Sequence, residues 1–348
     1  MKEYVLNETP VRTSVNYNIN NIKVDLDIPE LKGFENISIT TSELDKINID
    51  IDTIQKAFSS RIGLEFDSYE SVNISVPEDT IIQEPIVLDY LFDEDNNCLV
   101  DNIKITMNKN SKASFILHYC NDIEENCFHC LKQETILKEN SSASIVIANM
   151  LSDESNSFIA VENDIGKDAC LNHTMIELGG KNKISNYNSK LTGDNSENVI
   201  KSIYLGTNND VIDINYNIET IGKNSKCNIE SQGAITDKAK KNFKGIIDFK
   251  KGSCKSVGTE NENCMILSDK AKSKSMPVLL CHEEDVNGEH GVSSGKLDEN
   301  KLFYIMTKGI SYDEAKKLIV KANFSEIIRD IPNTDLQQEI NGVIDSSI

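Results

Sequence analysis

Two spacings of hydrophobic residues divide this chain. From about Ser71 to Val292 apolar and polar positions alternate with a period of two, as where Ile212, Ile214, Tyr216 and Ile218 interleave with Asp213, Asn215 and Asn217. β-Branched runs such as Ser144-Ile145-Val146-Ile147 share the stretch, and Asn, Gly, Ser and Asp separate them, so the unit is a short strand and a turn. After Gly295 the period becomes helical. Asp298 stands at an N-cap before Leu302, Ile305 and Met306, and Gly309 stands where a C′ glycine is wanted. Ser311 and Glu314 then form a capping box ahead of Ala315, Leu318, Ile319 and Ala322. Further stripes follow at Phe324, Ile327, Ile328 and Ile331 and, beyond Pro332, at Leu336, Ile340, Val343 and Ile344. Before Ser71, a short apolar pattern at Ile51, Ile54, Ala57 and Phe58 predicts at least one helix. The expected organisation is a partly helical N-terminal region (1–70), a strand-rich core (71–295) and a C-terminal helical domain (296–348).

The turns of the core resemble one another. NSKAS begins at Asn110, NSSAS at Asn140, GKDAC at Gly166, GKNSKC at Gly222 and KGSCKS at Lys251. Ala113 to Ala143 is 30 positions, Ala143 to Ala169 is 26 and Cys227 to Cys254 is 27. A loose recurrence of that length in a strand-rich, helix-free stretch predicts a β-solenoid, in which each coil buries its apolar face only by stacking on the next. A β-sandwich or jelly roll is the competing architecture, since short strands at regular spacing fit those as well. The terminal helices either cap a solenoid end or offer an apolar face to a partner.

Composition narrows the function. With 348 residues, 39% of them hydrophobic, the chain can bury a sizeable core, and no segment reaches membrane-spanning length. A formal charge of −20 opposes nucleic-acid phosphates and anionic membranes. The lysines from Lys238 to Lys255 read as a solvated face. MKEYVLNETPVRTS lacks an apolar signal region, and nine cysteines form an odd, scattered set, so a cytoplasmic chain with reduced thiols is expected. There is no Trp, which disfavours a polysaccharide-acting β-helix with aromatic platforms.

Phosphate loops, nucleophile elbows and zincin motifs are all missing. Cys127-Phe128-His129-Cys130 has the spacing of a metal knuckle, yet no second pair follows, and positions 127 and 130 of a strand face opposite sides. Cys264, Cys281, His282 and His290 are better placed for soft-metal binding if terminal coils bring them together. Glu283-Glu284-Asp285 reads as a solvated turn.

An ordered series of motifs then appears. Phe243-Lys244-Gly245-Ile246-Ile247 is followed by Asn261-Glu262-Asn263-Cys264-Met265-Ile266-Leu267-Ser268, Pro277-Val278-Leu279 and Glu284-Asp285-Val286. His290-Gly291-Val292-Ser293-Ser294-Gly295 and Leu302-Phe303-Tyr304-Ile305-Met306-Thr307-Lys308-Gly309-Ile310 complete it. This series resembles the C-terminal half of the SufB/SufD family of iron–sulfur cluster assembly proteins, and weaker similarity reaches Val76-Pro77, Pro85-Ile86 and Asn7-Glu8-Thr9-Pro10.

The resemblance implies a right-handed parallel β-helix between N-terminal and C-terminal helical regions. It implies a non-catalytic scaffold subunit that pairs with a SufB-type subunit and docks SufC, an ABC-type ATPase, through its C-terminal helices. A transient iron–sulfur cluster would form at the paired interface. No direct ATP binding, no cofactor needed for folding, and no nucleic-acid or membrane partner are expected, and the isolated chain is expected to homodimerise. Glu262 aligns with the B-type cysteine and Gly291 with the B-type glutamate, so the pattern resembles the D-type subunit. His290 then matches the D-type histidine as a cluster or iron ligand. Cys264, two positions past the B-type cysteine, is expected to face the other way. Cys281 is a weaker metal candidate, and Gly288 stands where D-type members often carry a cysteine. The alternatives are an adaptor without ligands of its own and a SufB-like homodimeric scaffold.

Overall fold

The computed structural model describes residues 2–10, 18–121 and 126–348. Before the core come β1 (Lys2–Leu6), β2 (Ile22–Leu26), β3 (Ile37–Thr40), β4 (Asn48–Ile54), β5 (Phe58–Ser59) and β6 (Glu65–Phe66). The core runs through β7 (Tyr69–Val76), β8 (Ile86–Phe92), β9 (Cys98–Met107), β10 (Lys112–Asn121), β11 (Phe128–Leu137), β12 (Ser142–Asn149), β13 (Asn156–Ile165) and β14 (Cys170–Glu177). It continues through β15 (Asn182–Leu191), β16 (Glu197–Gly206), β17 (Val211–Thr220), β18 (Lys226–Ile235), β19 (Lys240–Phe249), β20 (Val257–Ile266), β21 (Lys272–Cys281) and β22 (Asn287–Lys296). Helices α1 (Glu299–Met306), α2 (Tyr312–Arg329) and α3 (Thr334–Ser347) close the chain.

Within the core, the odd strands from β7 to β21 stack on one another and the even strands from β8 to β22 on one another, all in parallel. Two strands per coil in two facing sheets make a β-solenoid of about eight coils, not a sandwich or jelly roll. The register also corrects the repeat anchors. Ala113 pairs with Ala143, but Ala143 pairs with Leu171, and Cys227 with Gly258.

The recurring turn has a backbone cause. Asn110, Asn140, Asp168, Asn195 and Asn224 all sit at positive φ, between 53° and 58°, two residues before an even strand, and Asp79 shares the conformation. Asn and Asp tolerate this conformation better than other side-chain-bearing residues. Stacked coil on coil they also bond to one another: Asn110 donates to Asp79 (2.6 Å), Asn140 to Asn110 (2.8 Å) and Asn195 to Asp168 (2.7 Å). The small residue after each fits beneath the next coil, and Ser111, Ser141, Ala169, Ser196 and Ser225 are all buried.

The two ends of the solenoid differ. At the first coil, β4 pairs antiparallel with β7 and β3 with β8, closing both sheets. The expected helix around Ile51 to Phe58 is therefore replaced by strands. Ile47, Ile49 and Ile51 alternate with Asn48, Asp50 and Asp52, a period of two that outweighs the sparse helical spacing. Among the described residues before β7, the helical element is a single 3₁₀ turn, Leu44–Lys46. At the last coil, β21 and β22 each have a strand neighbour on one side only.

The helices cover a face instead of capping the end. Val320, Phe324, Ile327, Ile328, Leu336, Ile340 and Ile344 pack on Ile116, Val146, Ala148, Ile176, Ile203, Ala234 and Met265, the outward residues of the even sheet. Ile145 and Ile147 point inward, so the Ser144–Ile147 run is apolar because both faces of its strand are covered. The predicted caps form: Asp298 accepts from the backbone N–H groups of Asn300 and Lys301, Ser311 and Glu314 complete the box, and Gly309 has φ 85°. Two stripes expected to be separate lie on one helix, α2. Its buried line runs through Val320 and Phe324, leaving Leu318 48% exposed.

His118 ties α3 to this face, with Nδ1 3.0 Å from Asp89 and Nε2 3.3 Å from Glu339. Burial lowers the affinity of the imidazole for its proton, but the two carboxylates outweigh it and lift the pKa to about 9. A raised histidine pKa stabilises fully below the unfolded value of 6.5 and is lost as pH rises through about 9. Between pH 6.5 and 9, wild type should therefore lose about 1–2 kcal/mol more than His118→Gln, allowing for the part-exposed carboxylates. Chemical denaturation followed by helical circular dichroism across that range measures the difference.

Candidate functional site

Parallel register stacks one residue per coil, so inward positions form columns. In the even sheet one column reads Ile86, Phe115, Ile145, His173, Ile200, Ile229, Glu260 and His290. The next reads Leu88, Leu117, Ile147, Met175, Ser202, Ser231, Glu262 and Val292, and a third ends in Tyr204, Gly233, Cys264 and Ser294. Near the capped end the columns are aliphatic and aromatic. Toward the open end they turn polar.

β20 therefore turns Glu260, Glu262 and Cys264 inward together. Two residues along a strand return to the same face, so Cys264 shares the side of Glu262, correcting the expected reversal. Glu262 is fully partnered. Lys241 Nζ, from the opposite sheet, lies 2.6 Å from its Oε1, the Tyr204 hydroxyl donates to that oxygen (2.5 Å), and Ser275 donates to Oε2 (2.9 Å). Buried charges survive when paired and hydrogen-bonded in this way. Burial pushes the Cys264 thiol up although Lys241 pulls it the other way, so it rests protonated.

Glu260 differs. It is fully buried, and neither carboxyl oxygen has a hydrogen-bond partner. Burial first, and then the charge of Glu262, push its pKa up to about 8. Its carboxyl crosses the interior to Gly245 of β19 and fills the place a Cβ there would take. Glu260 is in register with His290 on β22, where adjacent strands stand about 4.8 Å apart.

His290 is exposed because no coil stacks above it. Cys281 is also exposed, at the end of β21, while Cys264 is buried inside. His282, just beyond β21, has Nε2 3.7 Å from Asp248. The terminal coils thus place these four in one region but do not converge them. Among the described residues, no group of three or more His, Cys, Asp or Glu is positioned to hold a metal. The knuckle spacing also dissolves, with Cys127 in the interior cluster and Cys130 in the cluster under the N-terminal strands. His129 is fully buried, 3.1 Å from Asp101. Glu283 accepts the Gly252 backbone N–H (2.9 Å), as a turn residue does.

Sequence reading missed Glu260, and it placed Lys241 on a solvated face, whereas Lys241 and Lys244 are fully buried in ion pairs with Glu262 and Asp213. The signal was present in Thr259-Glu260-Asn261-Glu262-Asn263-Cys264, where both glutamates share the parity of the cysteine. Lys241 has no such signal, since its partner comes from the facing sheet.

The motifs on these last coils fall within a longer match. The model of the SUF system FeS cluster assembly SufBD core domain matches residues 90–323. The chain belongs to the SufB/SufD family. Among its relatives it is SufD-like: it is 22% identical over 275 residues to the iron–sulfur cluster assembly protein SufD of Bacillus subtilis, covering 78% of this chain and 63% of that one. A SufBD family protein of Pyrococcus horikoshii is 25% identical over 275 residues, 78% of this chain and 61% of its own. SufD of Escherichia coli is 26% identical over 165 residues, 47% of this chain and 38% of its own. The alignments thus span about three-fifths or less of these relatives. No helix among the described residues is long and apolar enough to cross a membrane.

The Gly245–Glu260 contact in this SufB/SufD-family chain yields a double-mutant prediction. Gly245→Ala should cost about 1–3 kcal/mol, because the three atoms nearest the new Cβ all belong to Glu260. In a Glu260→Ala background the same change should cost about 1 kcal/mol less, as urea denaturation of the four proteins would show.

Proposed function

We propose that this chain is the D-type scaffold subunit of an iron–sulfur cluster assembly complex. It pairs at the open end of its solenoid with a B-type subunit and carries an ABC-type ATPase of the SufC kind on its C-terminal helices. The observation that supports this most is the asymmetry of the ends, one closed by β3 and β4 and the other leaving β21, β22 and His290 uncovered. Free strand edges and an unstacked coil favour association with another β-structure. His290 then faces the partner as a ligand to iron, which passes through as substrate. A neutral imidazole binds iron less tightly than thiolate and suits a cluster that must leave.

The involvement of Glu262 in an ion pair, where a B-type subunit has cysteine, favours the D-type over a B-like homodimer. For ATPase docking the support is α1. Only Leu302 of this helix is buried, while Phe303 and Tyr304 are 69% and 64% exposed, with Met306, Tyr312 and Leu318 exposed nearby. Contiguous exposed aromatic and aliphatic groups of this kind mark a docking surface. Chemistry requiring ATP would lie on the ATPase, and this chain would act by position.

Anaerobic co-expression with a B-type subunit and a SufC-type ATPase, followed by size measurement and a visible spectrum, tests the assignment. A complex of all three with cluster absorption is expected. Replacing Phe303 and Tyr304 together by Ala should weaken ATPase binding about tenfold or more without changing the fold, measured by calorimetry. His290→Ala should leave the complex assembled but lower its cluster yield. Unchanged yield would favour an adaptor without ligands of its own.

A further inference from the structure

Most other buried carboxylates among the described residues have hydrogen-bond partners. Asp101 is bonded by Tyr119 and His129, Asp210 by Lys183 and Thr207, Asp213 by Lys244, Asn7 and Asn242, and Glu262 by Lys241, Tyr204 and Ser275. Glu177, deep in the middle of the solenoid, also lacks a hydrogen-bond partner, but Asn149 and Ser185 lie beside it and no open edge is near. Glu260 has no such neighbour: it belongs to the last covered coil, and the residue stacked over it is His290. A carboxyl buried without a hydrogen bond costs on the order of a few kcal/mol relative to an apolar residue. The Glu260 carboxyl fills the space opposite Gly245, but the stacking does not require an acid there, since the same column is aliphatic at Ile200 and Ile229.

We propose that Glu260 and His290 together form the iron-receiving site of this subunit, one carboxylate oxygen and one imidazole nitrogen on adjacent coils. This rests on the reading of His290 as a ligand and adds the second donor. Oxygen with imidazole nitrogen suits ferrous iron, whereas the nearest inward thiol, Cys264, lies four residues along β20 and stays protonated. β22, paired along one edge and mostly exposed, opens more readily than any inner coil and gives the cation its way in. The carboxyl then turns from Gly245 toward the imidazole. Its O–H bond breaks as the oxygen–iron bond forms, and the proton leaves to the solvent. Two donors leave the remaining positions on the ion open, so the set is completed from the partner side.

Anaerobic calorimetry of the full chain with Fe²⁺ at pH 7 tests the pair. Wild type should bind one Fe²⁺ and release a proton, read from the dependence of the heat on buffer ionisation. Glu260→Gln should weaken binding about tenfold or more and abolish the proton release, with an unchanged or higher Tm showing that the fold persists. His290→Ala should weaken binding similarly. Gly245→Ala, which denies the carboxyl its resting place but keeps the donor, should still bind. If Glu260→Gln binds as wild type while His290→Ala does not, the second donor is refuted and the histidine stands. If neither change matters, or wild type binds nothing, both readings fall. Loss of binding in Gly245→Ala would make packing, not donation, the cause and would also refute the proposal.

Discussion

In-register parallel stacking is the constraint from which the rest of this molecule follows. Each strand adds to its sheet with residue over residue, so a choice made in one coil is presented to the next about 4.8 Å away. Asn over Asn becomes a hydrogen-bonded ladder at the turns. Inside, aliphatic over aliphatic becomes a core without helices. Where the columns change to Glu260, Glu262 and Lys241, polarity is concentrated in the last coils and must be balanced there or left unsatisfied.

The same rule separates structure from function along the axis. In the first and middle coils, the buried polar groups act as fixed parts of the interior, such as His129 on Asp101, and His173, which burial holds neutral with a pKa of about 3. Near the open end, two glutamates two residues apart have opposite surroundings, one locked by a lysine and one alone. Divergent environments for neighbouring carboxyls are where chemistry is usually placed.

Much of this was legible in the sequence. Period-two alternation, the Asx-containing turns and the helix caps each have a local physical cause, so they can be read without a partner. The N-terminal strands were hidden because an apolar pattern as short as Ile51 to Phe58 fits either period, and only pairing with β7 decides it. Cys264 was misassigned by its facing and not by its chemistry. His290 could be placed by its motif, but Glu260 gains its meaning from the residues stacked above it and facing it, which are thirty and fifteen positions away. Non-local neighbours of that kind leave no trace in a linear pattern.

The helical layer rests on the outward residues of every even strand from β10 to β20. A load applied at the exposed α1 is therefore shared over six coils at once, and no single coil can be peeled away by it. The solenoid behaves as a stiff lever. Motion imposed on the helices would carry the covered coils together, the open edge at β22 included, without internal unravelling.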